Sequence, residues 1–190
     1  MITAIVMASG YSKRMGENKL LIEFRGKPII KWVLEALKNS KVDRTIVVAR
    51  GETILGMGRE YGFDVVENNE ASEGISASIR LGVEHAGDSD GYLFVAADQP
   101  FLSSELIDTL VDHFIKCPKC IVVPSYEGRR GNPVLFPSDL RADFLNLRGD
   151  TGGKAVISLN RARVESVEIE DEMVLVDIDT REEFERLIGK

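Results

Sequence analysis

Apolar residues follow two rhythms along this 190-residue chain: short runs rich in β-branched residues, and longer stretches in which they recur every three or four positions. The run Ile2-Thr3-Ala4-Ile5-Val6 reads as a buried strand, and small residues begin where it ends. After a short apolar run over 20–24, Gly26-Lys27-Pro28 turns the chain into a helix with Pro28 near its first turn. Ile29, Trp32, Val33, Ala36 and Leu37 recur there at helical spacing, and Trp32 is expected in the core. The pattern then predicts a strand over 42–49, a helix over 53–61 closed by Gly62, and a strand over 63–66. A helix begins within the small-residue stretch 68–83, and 91–97 reads as a buried central strand. Ser103-Ser104-Glu105 opens another helix, with Ile107, Leu110, Val111 and Phe114 facing inward. Short strands over 121–125 and 133–136 and a helix over 154–159 come next. An alternating strand over 164–169 leads to a last helix that turns Phe184, Leu187 and Ile188 inward. Alternating strands and helices predict βαβ units and an α/β fold: three layers, α/β/α, around a mostly parallel, Rossmann-like sheet. No repeat, low-complexity tract or long linker interrupts the order, so one domain over 1–190 is expected.

A chain of this length buries roughly 70% of its unfolded surface and needs no metal or disulfide staple to fold. Its net charge of −7, from 31 acidic and 24 basic residues without a long basic run, argues against sequence-independent nucleic-acid binding. No stretch approaches the roughly 20 apolar residues that span a bilayer, and the opening run lacks a basic leader. A soluble cytoplasmic protein, away from membranes, is expected. Cys117 and Cys120 are the only cysteines, in Cys-Pro-Lys-Cys with His113 four residues upstream. A thioredoxin-like redox pair and part of a zinc site are the chemical readings. Zinc ordinarily wants four ligands, and the other histidine, His85, falls in a different helix. The reading adopted is a helix ending at Pro118 and a strand that opens on a small buried hydrophobe.

Candidate chemistry concentrates after the first strand. In 7–19, Ala8, Ser9, Gly10 and Ser12 keep side chains out of the way, so successive backbone N–H groups can turn toward an anion, and Arg14 and Lys19 add two positive charges. These parts make a triphosphate cradle at the carboxyl end of a strand, where open α/β sheets bind ligands. With only Gly10 and Gly16, and with Leu20 after Lys19, the segment fits neither G-x-G-x-x-G nor G-x4-G-K-[ST]. Asp98, which emerges from the 91–97 strand, suits Mg²⁺ held against substrate phosphates; equally, it suits a structural turn before Pro100. Around 72–80, Ser72 or Ser76 is an ordinary helix N-cap with Arg80 on a solvated face, or the free amides and hydroxyls meet a polar ligand. Arg129-Arg130, flanked by glycines, can grip a second anion or form a solvated hairpin tip. The stretch 147–155 has three residues between Gly149 and Gly153 and Ala155 after Lys154, so it is no P-loop. It remains a glycine-rich turn into a helix, or a plain loop.

Five of these segments, in order, resemble the MobA-like nucleotidyltransferases, and are most similar to the molybdenum cofactor cytidylyltransferases among them. The segment 7–19 resembles L-A-[AG]-G-x-S-x-R-M-G-x-x-K, with Met7 and Ser9 differing at the first and third places; Glu73 to Gly82 matches E-G-x-x-x-S-x-R-x-G; Ala97-Asp98-Gln99-Pro100 resembles the D-Q-P motif. Arg130 to Phe136 resembles G-[HN]-P-V-L-F, and Leu147 to Gly152 resembles L-x-G-D-x-G. The tail Asp177-Ile178-Asp179-Thr180 is similar to the family's D-I-D-T-P-E-D, with Arg181 in place of Pro.

The resemblance implies a fold of the nucleotide-diphospho-sugar transferase type and transfer of CMP from CTP to molybdopterin-bound molybdenum, releasing pyrophosphate. It implies nucleotide contacts at Ala8, Ser9, Gly10, Ser12, Arg14, Lys19, Gly74 and Ser78, with Ser76 a weaker candidate, and acceptor contacts at Arg130, Asn132, Asp150 and Gly152. It makes Arg14, Lys19 and Asp98 the catalytic set. Mg²⁺ is the implied cofactor on Asp98 and, opposite it, Asp177 or Asp179, with Asp179 or Thr180 capping the last helix. A molybdenum hydroxylase apo-enzyme would receive the product. The alternatives are a related transferase that uses GTP or a sugar-phosphate acceptor, and a non-catalytic cofactor carrier.

Overall fold

The computed structural model describes residues 1–11, 18–178 and 180–188, without the side chain of 188. Among the described residues ten strands form, in chain order: β1 (Ile2–Ala8), β2 (Glu23–Phe24), β3 (Lys27–Pro28), β4 (Arg44–Ala49), β5 (Asp64–Glu67), β6 (Gly91–Ala96), β7 (Ile121–Tyr126), β8 (Arg129–Arg130), β9 (Val134–Pro137) and β10 (Val164–Glu168). Seven α-helices accompany them: α1 (Ile29–Lys38), α2 (Glu52–Glu60), α3 (Ile75–Ala86), α4 (Ser104–Lys116), α5 (Arg141–Leu145), α6 (Gly153–Leu159) and α7 (Arg181–Ile188). Eight strands build one sheet in the order β10-β7-β9-β6-β1-β4-β5, with β8 paired to β7; β2 and β3 form a separate two-stranded ribbon.

β1 lies mid-sheet because its residues can be buried on both faces. Ala4, Val6 and Ala8 join one apolar cluster and Ile5 the other, and β1 runs parallel to β4 and β6 on its two sides. Helices α1, α2 and α4 cover the first face through Leu34, Leu55 and Leu110, whereas α3, α5 and α6 cover the second through Val83, Phe144 and Val156. A third, smaller cluster of Phe24, Ile29 and Ile178 collects Trp32, Phe101 and Phe184 at the end of the sheet. Trp32 is therefore only half-buried, with its indole N–H donating to the Phe24 carbonyl at 2.9 Å. The three-layer α/β/α architecture expected from the alternation is present.

Four local expectations are corrected. Strict alternation fails after β7: β9 follows within a few residues, too short a span for the crossover that a parallel neighbour requires. β9 accordingly inserts between β6 and β7 and pairs antiparallel to both. The N-cap of α3 is Gly74, at φ +95°, rather than Ser72 or Ser76; Ser76 is fully buried and accepts a bond from Arg80 at 3.2 Å. Arg80 is not on a solvated face, since its guanidinium also reaches Glu73 at 2.8 Å and the Leu147 carbonyl at 3.0 Å. Cys117 and Cys120 form a disulfide instead of presenting a small buried hydrophobe. Here α4 ends at Lys116 and the Cys120 amide bonds the Cys117 carbonyl at 2.9 Å, a tight turn around Pro118 that brings the two side chains together.

Capping chemistry that the sequence advertises is found where it is expected. Ser103 caps α4 by accepting from the Leu106 amide at 3.2 Å. At α7, Thr180 and Glu183 exchange reciprocal bonds, Thr180 Oγ1 accepting from the Glu183 amide and Glu183 from the Thr180 amide. Among the described residues no helix is long and apolar enough to cross a membrane.

Gly82 sets how closely α3 lies on β1, because a Cβ there would overlap the Cγ2 of Ile5, which is fully buried. Gly82→Ala is expected to destabilise the fold by about 1–3 kcal/mol through overpacking. Urea denaturation checks this; an unchanged midpoint would show that the contact has slack.

Candidate active site

Three strands deliver their carboxyl ends to one region. The register places Met7 opposite Ala96 and Ala8 opposite Ala49, so the chain leaving β1 lies between those leaving β6 and β4. A cavity of about 480 Å³ opens there, a size suited to a small-molecule ligand. Ser9, Gly10 and Tyr11 form one wall, Lys19 and Asp98 a second, and Gly74, Ile75, Ser78 and Asp150 a third.

Each wall has a local cause. Ala8 is the last residue of β1 and is buried, and Ser9 turns its hydroxyl down to the Val48 carbonyl at 3.2 Å, which ties the loop to β4. Gly10 is exposed, and nothing lies within 4 Å of where a Cβ would stand, so its backbone is open to a ligand. Lys19 begins a short 3-10 turn capped by Asn18, which accepts from the Leu20 amide at 3.2 Å. That turn carries the Lys19 ammonium to Asp98, 2.5 Å between Nζ and Oδ2, with side chains only 15% and 18% exposed. At that burial the pair is shielded from bulk water, and each charge fixes the other's position.

The third wall depends on close backbone approach. At Gly74 a Cβ would stand 2.6 Å from the Gly149 carbonyl carbon and oxygen, and the Ser76 amide donates to that carbonyl at 3.2 Å. The 149–150 turn is thereby held against the start of α3, and Asp150 reaches the cavity. Ser78 accepts a bond from Asn68 Nδ2 at 3.0 Å, and Asn68 Oδ1 accepts the Glu70 amide at 3.0 Å. Asn68, fully buried, braces a lining residue without touching the space itself.

The candidates named from sequence are distributed unevenly around this space. Ser9, Gly10, Lys19, Gly74, Ser78, Asp98 and Asp150 line it together, with Ala8 immediately behind. Ser12, Arg14 and Asp179 lie outside the described residues. Arg130, on the β7–β8 hairpin, and Asn132, in the link from β8 to β9, are exposed, and neither they nor Gly152, which faces Ile75, is among the lining residues. Asp177 is exposed, on a segment tied to the second wall: the Ile178 amide donates to the Asp98 carbonyl at 3.0 Å, and Gln99 Nε2 donates to the Leu175 carbonyl at 3.1 Å. Gly131 packs against Leu175, so the hairpin is coupled to the same segment.

Sequence reasoning passed over Tyr11, Ala71 and Ile75, which also line the cavity, and Arg50, which stacks over the Tyr11 ring at 3.8 Å. Ile75 had a detectable signal, a large apolar residue amid small polar ones at a helix start. Arg50 had none, since its pairing with Tyr11 depends on β1 and β4 being neighbours.

Fold and site together define an α/β protein with a ligand cavity at the carboxyl ends of its central strands. Residues 4–167 match the MobA-like NTP transferase domain, and the chain belongs to that family. It is 29% identical over 196 residues to the purine catabolism protein PucB of Bacillus subtilis, covering 97% of this chain and 94% of that protein. It is 31% identical over 197 residues to the protein named probable molybdenum cofactor guanylyltransferase of Thermococcus kodakarensis, with 96% and 92% covered. The nicotine blue oxidoreductase of Paenarthrobacter nicotinovorans is 26% identical over 199 residues, with 98% and 96% covered. The solved nucleotidyl transferase of Methanothermobacter superposes with a TM-score of 0.79 at 25% identity, covering 100% of this chain and 96% of that one.

Gly74 provides a test of the site's construction. Gly74→Ala faces both a left-handed φ and a clash with backbone, which together are expected to cost about 2 kcal/mol or more and to force the 149–150 turn away from α3. Hydrogen exchange should show faster opening at 149–153 and at the first turn of α3; unchanged protection there would contradict the bracing role.

Proposed function

We propose that this chain transfers a nucleotidyl group from a nucleoside triphosphate to a phosphorylated pterin carrying molybdenum, releasing pyrophosphate, with CTP as the donor. The observation that carries the reading is the convergence of an open glycine loop, the Lys19–Asp98 pair and the Gly74–Ser78 helix start on a single cavity. The acceptor assignment draws on the relative named molybdenum cofactor guanylyltransferase, and CTP on the resemblance to the cytidylyltransferases. That relative's name favours a second reading, in which the donor is GTP.

In the reaction a terminal phosphate oxygen of the acceptor attacks the α-phosphorus. One P–O bond forms, the bond to the bridging oxygen breaks, and its electron pair leaves with pyrophosphate. No protein nucleophile or strong base is required, so placement and positive charge supply most of the rate. Gly10 donates its backbone amide to the phosphates and Lys19 places its ammonium beside them. Gly74 and Ser78 hold the nucleoside, and Asp150 lies on the acceptor side of the same space. Arg14 and Ser12 are assigned to the leaving pyrophosphate on resemblance alone. Arg130, Asn132 and Gly152 are likewise assigned to the acceptor on resemblance alone.

Mg²⁺ suits the donor set. Asp98 offers hard carboxylate oxygens at a strand end, Asp177 stands on the segment bonded to the Asp98 backbone, and Lys19 balances charge beside Asp98. Asp98 and Asp177 would hold it, and when bound it would supply Lewis-acid polarisation of a phosphoryl oxygen. Asp98 keeps its carboxylate oriented through Lys19 in the meantime.

Asp98→Asn is expected to abolish pyrophosphate release while leaving the circular dichroism spectrum intact; near-normal turnover would overturn the metal assignment. Lys19→Ala should lower kcat/KM by about 10²–10³-fold, near the loss of one oxyanion donor. Pyrophosphate release with CTP, GTP, ATP and UTP, each with and without molybdenum-loaded pterin, tests the whole reading. CTP turnover that depends on pterin is expected, and GTP turnover would establish the second reading. Pterin binding without pyrophosphate from any nucleotide would identify a carrier.

A further inference from the structure

A second constellation lies at the other end of the sheet. β7 runs parallel to β10 and in the same sense as β6, so residues at the start of β7 and β10 are remote from the carboxyl ends that form the cavity. Cys117 caps α4, Cys120 immediately precedes β7, and Glu165, the second residue of β10, stands in register with Val122. Among the described residues, Cys117, Cys120 and Glu165 bring their donor atoms within 4.8 Å of one another, each residue partly buried. His113, one turn back on α4, has its Nδ1 2.9 Å from Glu165 Oε1. Four residues from three elements thus meet at one point, outside the machinery of nucleotidyl transfer.

We propose that, in its reduced form, this cluster is a binding site for a borderline-soft divalent ion of the zinc class. Two thiolates at C-x2-C spacing and a carboxylate form a ligand set that suits such an ion and not Mg²⁺ or Ca²⁺. Three protein donors leave a fourth position for water. His113 is a positioning residue that turns the Glu165 carboxylate toward the sulfurs. The disulfide and the metal-bound state exclude each other. A dithiol or phosphine reductant supplies two electrons, the S–S bond breaks, and each sulfur takes up one proton while the reductant is oxidised. Binding of the ion then displaces both thiol protons. Ion occupancy at this site is therefore governed by the redox state of Cys117 and Cys120, a dependence separate from the chemistry at Asp98.

Co²⁺ titration of the full chain provides the test, using protein reduced with a phosphine and freed of it under anaerobic conditions. The expected result is about one equivalent bound, with thiolate-to-cobalt charge-transfer absorption and the intense visible bands of four-coordinate cobalt, both erased by Zn²⁺ and absent from oxidised protein. Cys117→Ser with Cys120→Ser should remove the charge-transfer absorption. Glu165→Gln should keep it while weakening affinity by about 10-fold or more, and His113→Gln should weaken affinity with the absorption kept. Circular dichroism confirms that each variant is folded. The proposal is overturned if reduced wild-type protein shows no charge-transfer absorption, if the double serine variant binds as wild type does, or if Glu165→Gln leaves affinity unchanged.

Discussion

The half-buried ion pair between Lys19 and Asp98 is the constraint around which the rest of the site is arranged. Neither partner reaches the other unless β1 and β6 are adjacent and parallel, because each side chain comes from the loop that follows one of those strands. The apolar content of β1 and β6 supplies that adjacency: both strands can be sandwiched between helical layers, and such strands go to the middle of an α/β sheet. Core composition therefore decides site geometry. A lysine and an aspartate 79 positions apart become one electrostatic unit because each follows, at its own distance along the chain, one of two adjacent hydrophobic strands.

Opposition of charge inside a partly dry cavity also fits the chemistry proposed for it. A carboxylate alone at that depth would carry a large desolvation cost, and a lysine alone would carry the same. Together they offset that cost, and in the proposed reaction the ammonium would be available to phosphate and the carboxylate to a divalent ion. The glycine at position 74 serves the same arrangement from the far wall, since only a residue without a Cβ lets the 149–150 turn come close enough to bring Asp150 into the space.

Much of this was legible in the sequence, and the exceptions share a physical cause. Strand and helix positions followed from periodicity, and the caps at Ser103 and Thr180 from local chemistry that needs no tertiary partner. The glycine loop could be named from its local pattern, and Gly74, Ser78 and Asp98 because each belongs to a compact motif that resembles the family's. What could not be read were relations between elements. The antiparallel insertion of β9 depends on the shortness of the link from β7, the bracing of Ser78 by Asn68 on a buried contact between a loop and α3, and the stacking of Arg50 on Tyr11 on strand order. Cys117 and Cys120 were visible as a pair with His113 one helical turn upstream, but Glu165 joins them only once β10 lies beside β7. Arg80, a long charged residue on a helix, looked solvent-facing because a sequence does not reveal that the Leu147 carbonyl will be waiting for it.

The most direct measurement is a crystal structure with a non-hydrolysable nucleoside triphosphate and Mn²⁺, using the anomalous signal of the manganese to place the ion. The account predicts the phosphates between the Gly10 amide and the Lys19 ammonium, the nucleoside against Gly74 and Ser78, and the manganese peak within coordination distance of the Asp98 carboxylate. A nucleotide bound elsewhere on the molecule, or a metal peak that Asp98 does not touch, would contradict it.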